Sequence, residues 1–304
     1  MSEARNGLLL VNKPSGMTSH DLVDQVRRLL KQKSVGHCGT FDPMASGLMV
    51  ILLGEATKLS NYILERDKAY RLRAQLGVTT DTLDVTGEVL TRQPVQVDAV
   101  KVRELAVCLQ GDLNLPVPMY SAVKINGTRM HEFARKGEKI EQPLRVMKFF
   151  DFDGFEQGGD WIEFDMRCSK GSYVRAWIQE FGQSLGCGAA MSSLVRTGSE
   201  PYNLDQAITL EEISERLRTG ALDEVLIPMH QALGHYKMIR VSGLDETLFK
   251  NGQISHSLKS QVISIFKPES DEGVKILSRS SGLLLGLIGL EAGKGFVIRR
   301  VFHY

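Results

Sequence analysis

Residues 36–53 read GHCGTFDPMASGLMVILL, and two textures meet in them. Gly36, Gly39 and Gly47 punctuate a polar stretch, and residues 48–53 form an unbroken apolar run. A run of that length bounded by turn signals reads as a buried strand. The glycine-rich part then reads as a loop, because glycine admits positive φ and close approach of a ligand. Asp42 stands directly before Pro43. Proline disfavours the α region for its predecessor, so Asp42 is expected to be extended and presented by the loop. The same Asp-Pro pair also suits a helix N-cap with proline at the first helical position. The strand-like run that follows weakens the cap reading without removing it.

Upstream of that stretch, residues 7–12 read as a short strand ending in the turn Lys13-Pro14-Ser15-Gly16. Thr18 and Asp21 have capping-box spacing, and Leu22, Val23, Val26, Leu29 and Leu30 share one helical face. Downstream, residues 55–65 suggest a second helix. Residues 70–76, YRLRAQL, alternate strictly and read as a half-buried strand. Tyr70 is in phase with the apolar set but opens the strand, where a side chain reaches a cleft.

Residues 79–88 form a polar, turn-rich connection to Val89 and Leu90, and 97–109 suggest a helix. Residues 116–140 are irregular and basic. Residues 161–168 alternate again, with Ile162, Phe164, Met166 and Cys168 on one face. A helical pattern follows over 173–185, and Thr209 with Glu212 opens another over 210–217. The sum is α+β, mostly antiparallel strands with helices packed on them. Near His235 the texture changes to a short helix over 241–251 and then short strands ending in 282–288 and 296–302. That pattern predicts a large unit over 1–235 and a small β-rich module over 236–304.

Composition bounds the function. The chain has 304 residues, 42% hydrophobic and 24% charged, enough for a sizeable core. No apolar stretch is long enough to span a membrane, and the N-terminus lacks a secretory pattern, so a cytoplasmic location is expected. Cys38, Cys108, Cys168 and Cys187 show no metal or redox spacing, and reduced thiols are expected. Net charge is +1, but its distribution is uneven. Residues 235–304 carry +4, and 124–139 carry +3. Such local patches suit a protein gripping a polyanion, while any one of them taken alone reads as a solvated charged face. Two patterns mislead. Ser121 and Lys124 have Ser-x-x-Lys spacing, yet the accompanying Ser-Asp-Asn and Lys-Thr-Gly are missing. Cys38 beside His37 suggests a nucleophile, but sequence neighbours rarely form a catalytic pair. There is no P-loop and no dinucleotide fingerprint.

The chain resembles the TruB family of tRNA pseudouridine synthases, which isomerise uridine 55 in the TΨC loop. The resemblance is carried in one collinear order by GLLLVNKPSGMTSHDLV, GHCGTFDPMASGLMVILLGEATKLS, DKAYRLRAQLGVTTDTLDVTGEV, PMYSAVKINGTRMHEFARKG, CSKGSYVRAWIQEFG and LVRTGSEPYNL. A PUA-like stretch ends the chain. It implies a pseudouridine synthase core with a basic RNA-gripping insertion at about 116–145, and a PUA-like RNA-binding domain over 236–304.

By this resemblance Asp42 is the catalytic aspartate and Arg175 its basic partner. Tyr70 packs against the target base and is implicated in removing the C5 proton. Tyr173 lies in the same motif as Arg175. His37 helps hold the remodelled RNA loop, Leu194 borders the uracil, and Lys13 with Pro14 shapes the floor of the site. The resemblance further implies a monomer acting on tRNA with no protein partner and no cofactor. Two positions depart from the family pattern: Phe41 stands where leucine is usual, and Leu194-Val195-Arg196 replaces Leu-Arg-Arg. Two other readings remain, a tRNA-binding or folding protein with dispensable catalysis and an RNA-guided rRNA pseudouridylase. The short tail and the sizeable insertion disfavour the second.

Overall fold

The computed structural model describes residues 4–64, 66–138 and 140–304. Glu65, at the end of the expected second helix, and Lys139, in the basic segment, lie outside the described residues.

The chain begins with β1 (Gly7–Lys13), followed by α1 (Ser19–Leu30). The Thr18 side chain caps α1, and Asp21 completes the capping box. Leu22, Val23, Val26 and Leu30 form its buried stripe. Next come β2 (Val35–Cys38) and β3 (Ser46–Leu53). The expected loop over 36–47 is therefore shorter: Gly36, His37 and Cys38 pair with β3 as a strand. Asp42 caps no helix. Its carbonyl accepts from Ala45 N at 3.0 Å, closing a turn over 42–45.

The expected helix over 55–65 starts as a 3₁₀ stretch, Gly54–Leu59, and is α-helical only in α2 (Ser60–Leu64). β4 (Lys68–Leu76) follows, then the hairpin of β5 (Val78–Thr80) and β6 (Val89–Arg92). α3 (Ala99–Cys108) leads to β7 (Gly111–Pro116). The basic segment holds a small hairpin, β8 (Lys124–Ile125) with β9 (Thr128–Arg129), and the short α4 (Met130–Arg135). β10 (Leu144–Gln157) and β11 (Trp161–Cys168) form a long antiparallel pair. α5 (Val174–Leu185), β12 (Ala189–Ser199), β13 (Tyr202–Asn203) and α6 (Leu210–Thr219) follow.

The large sheet has the order β1-β3-β12-β4-β11-β10-β7, with β2 on β3 and β13 on β12. Its pairs are antiparallel except that β12 runs parallel to β3. That exception matters for the site. β12 meets β3 only at Ser46 and Gly47, while β2 pairs with the rest of β3 on Val50–Leu53. The turn carrying Asp42 thus projects where β12 joins the sheet. Gly47 allows that junction, because a Cβ there would run into the Arg196 backbone.

The C-terminal module is less purely β than expected. β14 (Lys237–Val241) leads into α7 (Gly243–Lys250) and α8 (His256–Ile265), and then β15 (Val274–Ser278), β16 (Leu284–Glu291) and β17 (Gly295–Val301) complete a four-stranded sheet. Ile239, Phe249, Leu258, Val262 and Ile276 form the module's own core. A second cluster crosses residue 235: Leu8, Leu10, Leu48 and Val50 pack with Tyr236, Leu277, Leu284, Leu287 and Phe302. The two parts share a core as well as a surface. No helix among the described residues is long and apolar enough to cross a membrane.

Candidate active site

The connection from β1 to α1 pins the Asp42 turn. Gly16 N donates to the Pro43 carbonyl at 2.8 Å, Ser15 Oγ to the Met44 carbonyl at 2.7 Å, and Phe41 N to Ser19 Oγ at 2.8 Å. Lys13 is fully buried beneath it. Its Nζ donates to the carbonyls of Pro14 at 2.9 Å, Met17 at 2.5 Å and Pro43 at 3.4 Å. Burial brings the Lys13 pKa down to about 8, against the opposing pull of Asp21 and Asp42. Lys13 therefore ties the β1–α1 connection to the Asp42 turn through backbone carbonyls.

Arg175, in the first turn of α5, reaches the turn from the other side. Its Nη2 donates to Asp42 Oδ1 at 2.8 Å and to the Tyr120 carbonyl at 2.9 Å, and its Nη1 to the Thr82 carbonyl at 2.8 Å. The Arg175 side chain is 5% exposed and that of Asp42 is 31% exposed. The carboxylate thus keeps an open face while its cationic partner is enclosed. Burial raises the Asp42 pKa, Arg175 opposes that rise, and Asp84 adds to it. Asp84 also orders the loop that supplies the Thr82 carbonyl. Its Oδ1 accepts from Thr82 Oγ1 at 2.9 Å, Thr86 N at 3.0 Å and Thr86 Oγ1 at 2.5 Å. Tyr120 is fixed by its own hydroxyl, which donates to Asp81 Oδ2 at 3.0 Å.

Tyr70 is half-buried near the start of β4. Its phenol oxygen accepts from Arg196 Nε at 3.1 Å. Burial raises its pKa, and Arg196 and Asp42 are among the charges that act on it. Tyr173 immediately precedes α5 and is half-buried; burial raises its pKa too, with Arg145, Arg175 and Asp42 among the charges acting on it. Leu194 is buried on β12 opposite Leu72. His37 lies on β2 with its Nδ1 3.1 Å from the Gly39 carbonyl, and burial lowers its pKa. Direct contact thus joins Asp42 to Arg175. Tyr70 and Tyr173 feel the Asp42 charge, whereas His37 and Leu194 line the neighbouring strands. Cys38 is buried with its thiol pushed up to about 12, which removes it as a nucleophile at neutral pH.

Sequence reasoning gave no role to Arg196, although it stands in a quoted motif, or to Asp84. Both are buried charged residues, at 3% and 5% exposure. Asp84 carried a readable signal, since the run TTDTLDVTGE packs hydroxyls around it. Phe41, the departure in the glycine-rich stretch, packs its ring against two cations: the Arg196 guanidinium carbon at 3.9 Å and Lys13 Nζ at 5.5 Å from the ring centroid. Among the described residues, no group of three or more His, Cys, Asp or Glu could hold a metal ion.

Comparison with known proteins gives a consistent pattern. A family model described as TruB family pseudouridylate synthase (N terminal domain) matches residues 27–174. A second, tRNA pseudouridylate synthase B C-terminal domain, matches residues 175–234. The tRNA pseudouridine synthase B of Bdellovibrio bacteriovorus is 54% identical over 303 residues, covering 98% of this chain and 97% of its own. That of Bacillus subtilis is 39% identical over 256 residues, covering 82% and 83%. Among solved structures, an H/ACA RNP bound to a substrate RNA containing 2'-deoxyuridine matches with a TM-score of 0.70 at 20% identity, over 98% of this chain and 85% of the other. An archaeal box H/ACA sRNP Nop10-Cbf5 complex matches with a TM-score of 0.69 at 21% identity, over 98% and 86%. At that identity the two structures establish a shared fold.

Proposed function

The chain belongs to the TruB family of pseudouridylate synthases, and on that premise we propose that it isomerises uridine 55 in the TΨC loop of tRNA to pseudouridine. The observation that carries this reading is the Arg175–Asp42 pair, 2.8 Å long, with the arginine enclosed and the carboxylate open on one face. The reaction breaks the N1–C1′ bond, turns the uracil and joins C5 to C1′. N1 gains one proton and C5 loses one. With no redox change and no net hydrolysis, the reaction asks for no metal or nucleotide cofactor.

Asp42 is the nucleophile in this reading. An ionised carboxylate attacks ribose C1′ or uracil C6 and divides one difficult step into two easier ones. Burial disfavours ionisation, and Arg175 offsets it. Arg175 is suited to this because its guanidinium stays protonated and spans three acceptors. Tyr70 takes the stacking and C5-deprotonation roles, and stacking on an aromatic ring contributes about 1–3 kcal/mol per base. Tyr173, Leu194 and His37 contact the uridine and its loop. The base must leave its stack to reach Asp42.

In the same reading, residues 1–235 form the catalytic unit, its 116–145 insertion grips RNA, and residues 236–304 are a PUA-like domain against the rest of the tRNA. The protein works as a monomer in the cytoplasm without a protein partner. Incubating an unmodified tRNA transcript with the protein alone, then mapping pseudouridine, tests the activity, its position and its independence of a guide RNA together. Conversion at position 55 is expected. No conversion, or conversion only with an added guide RNA, would overturn it.

A further inference from the structure

Among the described residues, Arg196 is a buried cation without a counter-ion. It is 3% exposed, and none of the ion pairs among the described residues includes it. Its one side-chain hydrogen bond among those residues runs from Nε to the Tyr70 oxygen at 3.1 Å. Nη1 is buried and has no acceptor among them. Two rings hold the guanidinium: its carbon lies 3.9 Å from the Phe41 centroid and 5.4 Å from that of Tyr70. The loop closes over it at Gly39, whose φ is +88°, and a Cβ there would stand 3.3 Å from Nη1. The strand register makes this arrangement specific, since Arg196 lies directly opposite Tyr70 across the β12–β4 pair.

An uncompensated buried charge is costly to a fold, and replacing it with a well-packed apolar group is often neutral or stabilising. The fold therefore gives no reason of its own for an arginine here. Its one polar partner among the described residues does. Arginine only donates, so the Tyr70 oxygen must be the acceptor in their bond, and the phenol is held in one orientation.

We propose that Arg196 is the positioning residue of Tyr70, fixing the phenol oxygen against the uracil and stabilising the negative charge on it when it acts as a base. The inference rests on the reading of Tyr70 given above. In that step the C5–H bond breaks, its electron pair restores the C5=C6 bond, and the proton passes to the Tyr70 oxygen. The phenol's own proton has gone to N1, which took up the electron pair of the broken glycosidic bond. The cycle ends with Tyr70 protonated as it began. Phe41 and Gly39 serve the same end by seating the guanidinium.

The test uses tRNA transcripts carrying ordinary uridine or uridine deuterated at C5, with single-turnover rates for wild type, Tyr70→Phe, Arg196→Met and Arg196→Lys. Arg196→Met is expected to fold, to bind tRNA within about threefold of wild type, and to convert it about 10–100-fold more slowly. Its protium-to-deuterium rate ratio should exceed that of wild type, as should that of Tyr70→Phe, because C5–H cleavage has become limiting. Arg196→Lys should fall between wild type and Arg196→Met. A raised ratio in Tyr70→Phe with a wild-type ratio in Arg196→Met overturns the role of Arg196 alone. A wild-type ratio in Tyr70→Phe overturns the reading of Tyr70 and the proposal with it. Should only the lysine variant fold, a wild-type ratio in it overturns the proposal. Absence of product from wild type would instead defeat the proposed function.

Discussion

Arg175 Nη2 donates to Asp42 Oδ1 at 2.8 Å across 133 positions of sequence, and the same guanidinium also holds the carbonyls of Thr82 and Tyr120. One side chain therefore fixes Asp42 and two loops. Arg175→Met should lower single-turnover conversion by about 10²–10³-fold, the range for removing one preorganised charged donor. It should also move the acid limb of the pH–rate profile upward. Burial already raises the Asp42 pKa and Arg175 is the largest opposing influence, so its loss lets the carboxyl rise further. A profile limb that stays in place would show that Arg175 does not control Asp42 ionisation.

Asp42→Asn should abolish conversion while leaving tRNA binding nearly intact. Its effect on stability has a defined sign. The folded-state pKa of Asp42 is raised above its ordinary 3.8. Between those two values the folded protein holds a proton that the unfolded chain has released. Stability gained from this is complete below about 3.8 and is lost as pH rises through the folded value. At pH 7 the asparagine variant should therefore melt at or above the wild-type temperature, and the difference should shrink toward pH 4. Thermal melts across that range check it.

Lys13 has the opposite behaviour, because burial lowers its pKa from 10.5 to about 8. Between those values the unfolded chain binds the proton that the folded protein has lost, so this contribution makes the fold more stable as pH climbs from about 8 toward 10.5. Lys13→Met lacks that slope. It also strips the Nζ donor from the carbonyls of Pro14 and Met17, each unsatisfied group costing about 1–3 kcal/mol, while the Pro43 carbonyl keeps its bond from Gly16 N. The variant should be clearly destabilised at pH 7, and its deficit should widen as pH rises. Denaturant melts at pH 7 and 9.5 measure both effects.

What the sequence made legible was local. Ile162, Phe164, Met166 and Cys168 alternate because one face of β11 is buried, and all four are buried in the structure. Thr18 with Asp21 and Thr209 with Glu212 cap their helices through contacts three residues apart. β10 was not legible, because register shifts between Phe150 and Asp153 and again before Glu156 break its period. β12 was missed for a similar reason, with shifts between Met191 and Ser193 and between Arg196 and Gly198. The same holds within the site. Asp42, Tyr70, Arg175 and Arg196 all stand in quoted motifs, but the place of Arg196 opposite Tyr70 shows only in the strand register.

The boundary at residue 235 gives the last prediction. Read from texture alone, residues 236–304 form a detachable RNA-binding module. The packing gives them a second task. Tyr236, Leu277, Leu284, Leu287 and Phe302 cover Leu8, Leu10, Leu48 and Val50 of the large sheet. His303 N donates to Glu55 Oε2 at 2.9 Å, and Lys275 Nζ donates to the carbonyls of His230 and Leu233, both at 2.9 Å. Each large apolar side chain uncovered forfeits about 1.5–3 kcal/mol, so losing this set removes a large part of an ordinary domain's stability. A chain ending at 235 should therefore aggregate or melt far below the full protein, and lose activity on a minimal stem-loop as well as on whole tRNA. Reversing exposed charges on the module, Arg240→Glu with Arg300→Glu, leaves that core intact. This double variant should melt normally, keep its rate on the stem-loop, and bind whole tRNA more weakly with a shallower salt dependence. A truncated chain that stays folded and active on the stem-loop would show that the shared core is dispensable.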